Sequence, residues 1–115
     1  MVGSPMTDIA KKFDGEKTRL DLIPVRSMEL LGRVLTFGAK KYAAYNWAQG
    51  FVWSRPYAAT LRHLFAWWAG EDIDKDSGQP HLACAMCELV FLIEHQEHKL
   101  GVDDRPTYYA KETRK

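Results

Sequence analysis

Pro80-His81-Leu82-Ala83-Cys84-Ala85-Met86-Cys87-Glu88-Leu89-Val90-Phe91-Leu92-Ile93 is the stretch that decides the fold. Ala83, Met86, Leu89, Val90 and Ile93 recur at helical spacing, while Leu82, Phe91 and Leu92 fill the remaining faces. Proline suits the first turn of a helix and glycine suits its end, so Pro80 and Gly101 bracket a helix that runs to about Leu100. A helix that is apolar nearly all round belongs at the centre of a fold or in an interface between subunits. Its longest unbroken apolar run, Leu89 to Ile93, is far too short to cross a bilayer.

Working outward, Glu71 to Gln79 is a polar loop. Before it, Tyr57, Leu61, Leu64, Phe65 and Trp68 form the apolar stripe of a second helix ending near Ala69. Ser54 is its expected N-cap, Pro56 suits its first turn, and Gly70 is its expected stop. Residues 45–53 are rich in aromatics and read as a loop. A third helix is expected over 25–44, with Met28, Leu31, Val34 or Leu35, and Tyr42 on one face. Residues 1–24 read as an irregular arm and 102–115 as a polar tail that either packs through Tyr108 and Tyr109 or stays loose. No segment alternates as a strand would. The expectation is one all-α domain over 1–115, a small helical bundle completed by oligomerisation.

Composition narrows the function. The chain has 115 residues, 46 % of them hydrophobic and 27 % charged, which is ordinary for a folded domain and argues against disorder. A formal net charge of +1 gives no bulk attraction to nucleic acid. Cys84 and Cys87 lie in the apolar helix without a second pair for zinc, so they read as small buried hydrophobes. Two cysteines make no disulfide framework, and the start of the chain shows no apolar signal segment; an intracellular protein is expected.

Glu71, Asp72, Asp74 and Asp76 crowd one helix–helix junction. Like charges this close must be solvated, cap a helix or share a hard cation, which takes oxygen ligands. Asp72-x-Asp74-x-Asp76 matches the start of a calcium-binding loop, but Ser77 stands where that loop needs glycine and Ala83 where it needs glutamate. His63 and His81 bracket the acids, and Arg62 offers a planar fork for a phosphate. Glu29 and Glu88 are carboxylates set within apolar patterns, and Glu88 shares a helix face with Cys84 and His81. Lys41 and the Asn46-Trp47 pair form a second group, a cation for phosphate and an aromatic with an amide for a base. No glycine-rich phosphate loop and no activated nucleophile are present, which favours metal-activated water over covalent catalysis.

Lys12-Phe13-Asp14, Arg19, Asp21-Leu22-Ile23-Pro24, Phe37-Gly38-Ala39-Lys40-Lys41-Tyr42 and Asn46-Trp47 make one group of motif residues. Arg62-His63-Leu64, Ala66-Trp67, Gly70-Glu71-Asp72, Asp74, Asp76-Ser77-Gly78 and Pro80-His81-Leu82-Ala83 make a second. Over about residues 11–97 these resemble the dATP/dGTP diphosphohydrolase family, a MazG-like phage group. The resemblance implies an all-α, oligomeric nucleotide pyrophosphohydrolase, a dimer or tetramer dependent on Mg²⁺ or Mn²⁺. It would cleave a deoxypurine triphosphate between the α- and β-phosphates, in the host cytoplasm. The expected metal ligands are Glu29, Glu71, Asp72, Asp74 and Asp76, with His63 and His81 as catalytic ligands or proton acceptors. Arg19, Lys41, Asn46, Trp47 and Arg62 would bind the substrate, Lys41 and Arg62 through its phosphates and Asn46 and Trp47 through the base. One departure stands: Ala58, Ala59, Arg62 and His63 occupy the helix where the wider MazG-like group carries Glu-x-x-Glu, and His81-x-x-Cys84 replaces Glu-x-x-Asp. Either the ligands have moved to the acid loop, or the domain is a catalytically silent module that binds nucleotide or a partner.

Overall fold

The computed structural model describes residues 10–108, and they form a helical bundle with no named strand. The first nine residues of the expected arm, and the expected tail from Tyr109 onward, lie outside the described residues. Three α-helices carry the fold: α1 (Val25–Lys41), α2 (Ser54–Trp68) and α3 (His81–His98). Short 3-10 turns at Leu20–Leu22 and Asn46–Gln49 punctuate the connections. α2 and α3 are the most extensively packed pair, and α1 lies more lightly against α3.

The central position expected of α3 is observed, and its small residues explain how. Ala83, Cys84, Ala85 and Cys87 are all buried, and side chains of this size let a neighbouring helix approach closely. On α2 the buried residues are Pro56 and Thr60, whose hydroxyl donates to the Pro56 carbonyl at 2.8 Å. Both thiols are free, and burial pushes them up, that of Cys87 to about 12, so they serve as packing rather than as nucleophiles.

Several boundaries differ from the sequence reading. α1 stops at Lys41 rather than 44, because Tyr42 leaves helical geometry and Tyr45 turns left-handed at φ 60°. The stretch expected as loop therefore contains the Asn46–Gln49 turn. Ser54 is the first residue of α2, not its cap; its backbone N–H is met instead by the Asp104 carboxylate at 2.9 Å. α3 ends at His98, with Lys99 in the left-handed conformation at φ 56°.

The beginning of the tail is docked. Val102 donates to the Phe51 carbonyl at 3.0 Å, Trp53 N–H donates to Val102 at 2.9 Å, and the Trp53 indole donates to Leu100 at 2.9 Å. Glycine is required for this approach: a Cβ on Gly101 would lie 2.0 Å from the Phe51 oxygen, and one on Gly50 would lie 2.4 Å from the Gly101 nitrogen. Arg105 covers the Trp53 ring at 5.2 Å. Thus the 50–54 segment is fixed from both sides. No helix among the described residues is long and apolar enough to cross a membrane.

Candidate functional site

The acid loop folds back on itself between α2 and α3. Asp74 N–H donates to Gln79 at 2.8 Å, Gly78 N–H to Asp74 at 2.8 Å, and His81 N–H to Asp72 at 2.9 Å. Asp74 Oδ2 accepts from both the backbone N–H and the hydroxyl of Ser77, at 2.8 and 2.7 Å. This is an aspartate turn closing on the residue three positions on. It aims one acid inward and leaves Asp72 exposed.

His63 enters from α2 and His81 from the first turn of α3. Their Nδ1 atoms stand 2.9 Å apart. One ligand atom from each of His63, Asp74 and His81 falls within 4.8 Å of the others. His81 Nε2 lies 2.6 Å from Glu71 Oε1, and the His81 side chain is only 6 % exposed. The His81 bond holds the Glu71 carboxyl below its usual range. Burial raises the Asp74 carboxyl, but the Ser77 bonds outweigh it and the net direction is downward. Burial also lowers His63, favouring its neutral form.

Two of the three, His63 and Asp74, line a groove of about 860 Å³ bounded by the second half of α1, the Tyr45–Trp47 turn, α2, the acid loop and α3, and His81 lies buried behind them. The volume falls within the range of small-molecule sites. Lys41, Arg55, Arg62 and His63 line it, as do Asp74, Asp76, Glu88 and the rings of Trp47, Phe51 and Phe91. Lys41 reaches Asp76 at 2.7 Å, a bond that raises its pKa and ties the end of α1 to the acid loop. Trp47 stacks on Phe91 with centroids 6.1 Å apart, and Phe51 packs on Phe91 at 5.8 Å. The site therefore has a polar end with cations and imidazoles and an aromatic wall at the turn.

Of the residues singled out in the sequence, the groove gathers Lys41, Asn46, Trp47, Arg62, His63, Asp74 and Asp76. Glu71 supports it from behind through His81. Three others lie elsewhere. Arg19 forms a bidentate pair with Asp21 on the exposed arm. Glu29 is held by Arg26 and Arg33 on the exposed side of α1. Asp72 contributes its backbone carbonyl to the loop, and its side chain does not line the groove.

The structure also brings in groups that the sequence did not place. Ser77 anchors Asp74; the Asp-x-x-Ser spacing was its signal. Arg55 lines the groove one turn before Ala59 and carried no signal of its own. Glu88, already singled out in the sequence without a direction for its face, lines the groove, where burial lifts its carboxyl to about 7 against the opposing influence of Arg62. His95 is fully buried; its Nε2–H donates to the Trp47 carbonyl at 2.8 Å, and its ring packs on Phe51 at 5.4 Å. It fixes the aromatic wall, and nothing in the sequence marks it.

Comparison with known proteins gives two positive findings. A family model described as "dATP/dGTP diphosphohydrolase, N-terminal" matches residues 7–105. A curated protein of Salmonella phage PMBT28, named dATP/dGTP diphosphohydrolase, is 36 % identical over 94 residues, covering 82 % of this chain. The match spans 32 % of that relative, so this chain corresponds to about a third of its length. No solved structure matches.

Proposed function

The chain belongs to the dATP/dGTP diphosphohydrolase family, and on that premise we propose that it is a nucleotide pyrophosphohydrolase that hydrolyses deoxypurine triphosphates to the monophosphate and pyrophosphate with a divalent cation, Mg²⁺ or Mn²⁺. The observation that carries the reading is the convergence of His63, Asp74 and His81 at the end of a groove lined by Lys41 and Arg62. That end offers the charges a triphosphate needs. The Trp47 and Phe51 end offers π-faces, and the Asn46 amide offers both a donor and an acceptor for a base edge.

The donor set fits a divalent cation, since a buried imidazole and an anchored carboxylate converge with a second imidazole. His63, Asp74 and His81 would hold it, and it would supply Lewis acidity and activation of water at neutral pH. The remaining steps belong to the chain. Lys41 and Arg62 neutralise phosphate oxygens, Arg62 by a planar fork and Lys41 by exchanging its bond with Asp76. Glu88, with a carboxyl titrating at about 7, is poised to take a proton from the attacking water. Attack on the α-phosphorus in line with the departing pyrophosphate needs positioning and charge neutralisation, with no protein nucleophile. The proposal includes self-association as a dimer or tetramer. Its support is that α1 buries no residue and that Val25, Phe65, Trp68 and Ile93 are large exposed apolar groups.

The test is turnover of a panel of deoxy- and ribonucleoside triphosphates with Mg²⁺ or Mn²⁺, with pyrophosphate and orthophosphate detected separately. Pyrophosphate with dAMP or dGMP is the expected result. Folded protein that gives no product from any nucleotide would overturn the reading in favour of a silent nucleotide-binding module.

A further inference from the structure

The groups around His81 specify more than a generic cation site. A carboxylate oxygen 2.6 Å from an imidazole nitrogen accepts, so His81 Nε2 donates to Glu71 Oε1. In the neutral ring Nδ1 is then bare, and it points at His63 Nδ1. A carboxylate that orients an imidazole through its far nitrogen is the arrangement by which metal-bound histidines are held in one tautomer. Asp74 is oriented as firmly, because both Ser77 bonds fall on one of its oxygens, Oδ2.

Charge argues the same way. Asp74 and Glu71 bring two carboxylates to a pair of imidazoles. No Lys or Arg pairs with Asp74 among the described residues. Lys41 is committed to Asp76, and Lys75 reaches Glu71 only at 3.8 Å while 91 % exposed. Without an ion, a His63 Nδ1–H meets the bare His81 nitrogen across 2.9 Å; a single divalent ion would take the place of that proton and offset the carboxylates beside it. Bonds of about 2.0–2.1 Å to each nitrogen can bridge the 2.9 Å between the two Nδ1 atoms.

Resting on the hydrolase reading, we infer that His63 Nδ1, His81 Nδ1 and Asp74 form a two-nitrogen, one-oxygen site for a single transition ion, with Glu71 as the positioning residue, and that this site discriminates against Mg²⁺. Imidazole ligands suit first-row transition ions, whereas Mg²⁺ prefers oxygen and gives up its waters reluctantly. Affinity should rise from Mn²⁺ to Co²⁺, with Mg²⁺ well below both. His63 and Asp74 line the same groove as Lys41 and Arg62, the space from which water and phosphate oxygens would complete the coordination.

The experiment uses the full chain, stripped by chelator and titrated calorimetrically with Mn²⁺, Co²⁺, Zn²⁺ and Mg²⁺ without nucleotide. The Co²⁺ absorption spectrum gives an independent readout. The expected result is one ion per chain, with Co²⁺ bound at least ~100-fold more tightly than Mg²⁺. His63→Ala and Asp74→Asn should each abolish the Co²⁺ signal, and Glu71→Gln should weaken binding by about 10–100-fold. Circular dichroism verifies that each variant is folded. His63 is half-buried, which makes its variant the safest to compare. Absence of a stoichiometric ion, equal affinity for Mg²⁺, or Co²⁺ binding indifferent to His63→Ala would each overturn the site. Ion binding that depends on His63, with no nucleotide turnover, would keep the site and end the hydrolase reading. Turnover with Mg²⁺ in a His63→Ala protein would do the reverse.

Discussion

The two ends of the groove are built differently. The α2–α3 end rests on buried residues and on a loop closed by its own backbone and side-chain bonds, with His81 almost wholly enclosed. The α1 end contributes a helix that buries no residue and is tied to the acid loop by one exposed ion pair, Lys41–Asp76. Groups that must hold an ion or a reacting atom within a few tenths of an ångström need the first kind of support. A cation that only gathers flexible phosphates tolerates the second kind. The contrast predicts that changes at the α2–α3 end cost both fold and turnover, while changes at the α1 end cost substrate affinity.

His81→Ala should give the largest effect. It removes a proposed ion ligand and the buried imidazole bonded to Glu71, so turnover should fall by about 10²-fold or more and the unfolding midpoint in urea should fall with it. A matched pair of kinetic and urea-unfolding measurements checks it. Normal turnover in that variant would break the contrast outright. Gly101→Ala follows, since the added Cβ would meet the Phe51 backbone and the residue sits at φ 73°. A loss of about 1–3 kcal/mol should appear as a lower Tm, with weakened nucleotide binding because Trp47 and Phe51 lose their support.

Lys41→Ala should be milder. KM should rise about 10-fold, consistent with losing one charge-assisted bond of roughly 1.5 kcal/mol, while kcat and Tm change little because an exposed ion pair contributes little to stability. A fall in kcat with KM unchanged would show that α1 takes part in the chemistry.

The last expected effect is on stability, a change of its slope with pH. Glu88 has a folded pKa near 7 against an ordinary value of 4.5. A carboxyl raised on folding binds more protons in the native state between those two values. Its contribution to stability is therefore greatest below pH 4.5 and declines as pH rises towards 7. Glu88→Gln should flatten that decline and raise Tm at pH 8 by a few degrees, about 1 kcal/mol for a domain of this size. As loss of the proposed proton acceptor, it should also cut kcat by about 10²-fold or more and remove a neutral ionisation from the pH–rate profile of the activity that remains. A profile unchanged by the substitution would exclude Glu88 as the proton acceptor.

The helices were legible because their signals are local. Apolar spacing along 80–100 and 57–69, with Pro80, Gly70 and Pro56 near the ends, specifies α2 and α3 within a few residues. Helix α1 was legible in place but not in length, because nothing in Tyr42-Ala43-Ala44 announces a stop; the chain turns there to bring Asn46 and Trp47 to the groove. Ser54 misled because it has the chemistry of a cap, while the carboxylate that meets its N–H comes from Asp104, fifty positions on.

At the site, the sequence by itself determined the chemical inventory: the acids and histidines at one junction, cations nearby and an aromatic turn. Only the tertiary structure decided where each of them stands and what it touches. It selected Asp74 over Asp72 as the inward acid, set Asp76 against Lys41, turned Glu71 from ligand candidate to partner of His81, and brought Glu88 and His95 into play. The physical reason is that residue type fixes which bonds a side chain can make, whereas the direction of each lone pair and the dryness around it depend on how α2, α3 and the loop between them pack.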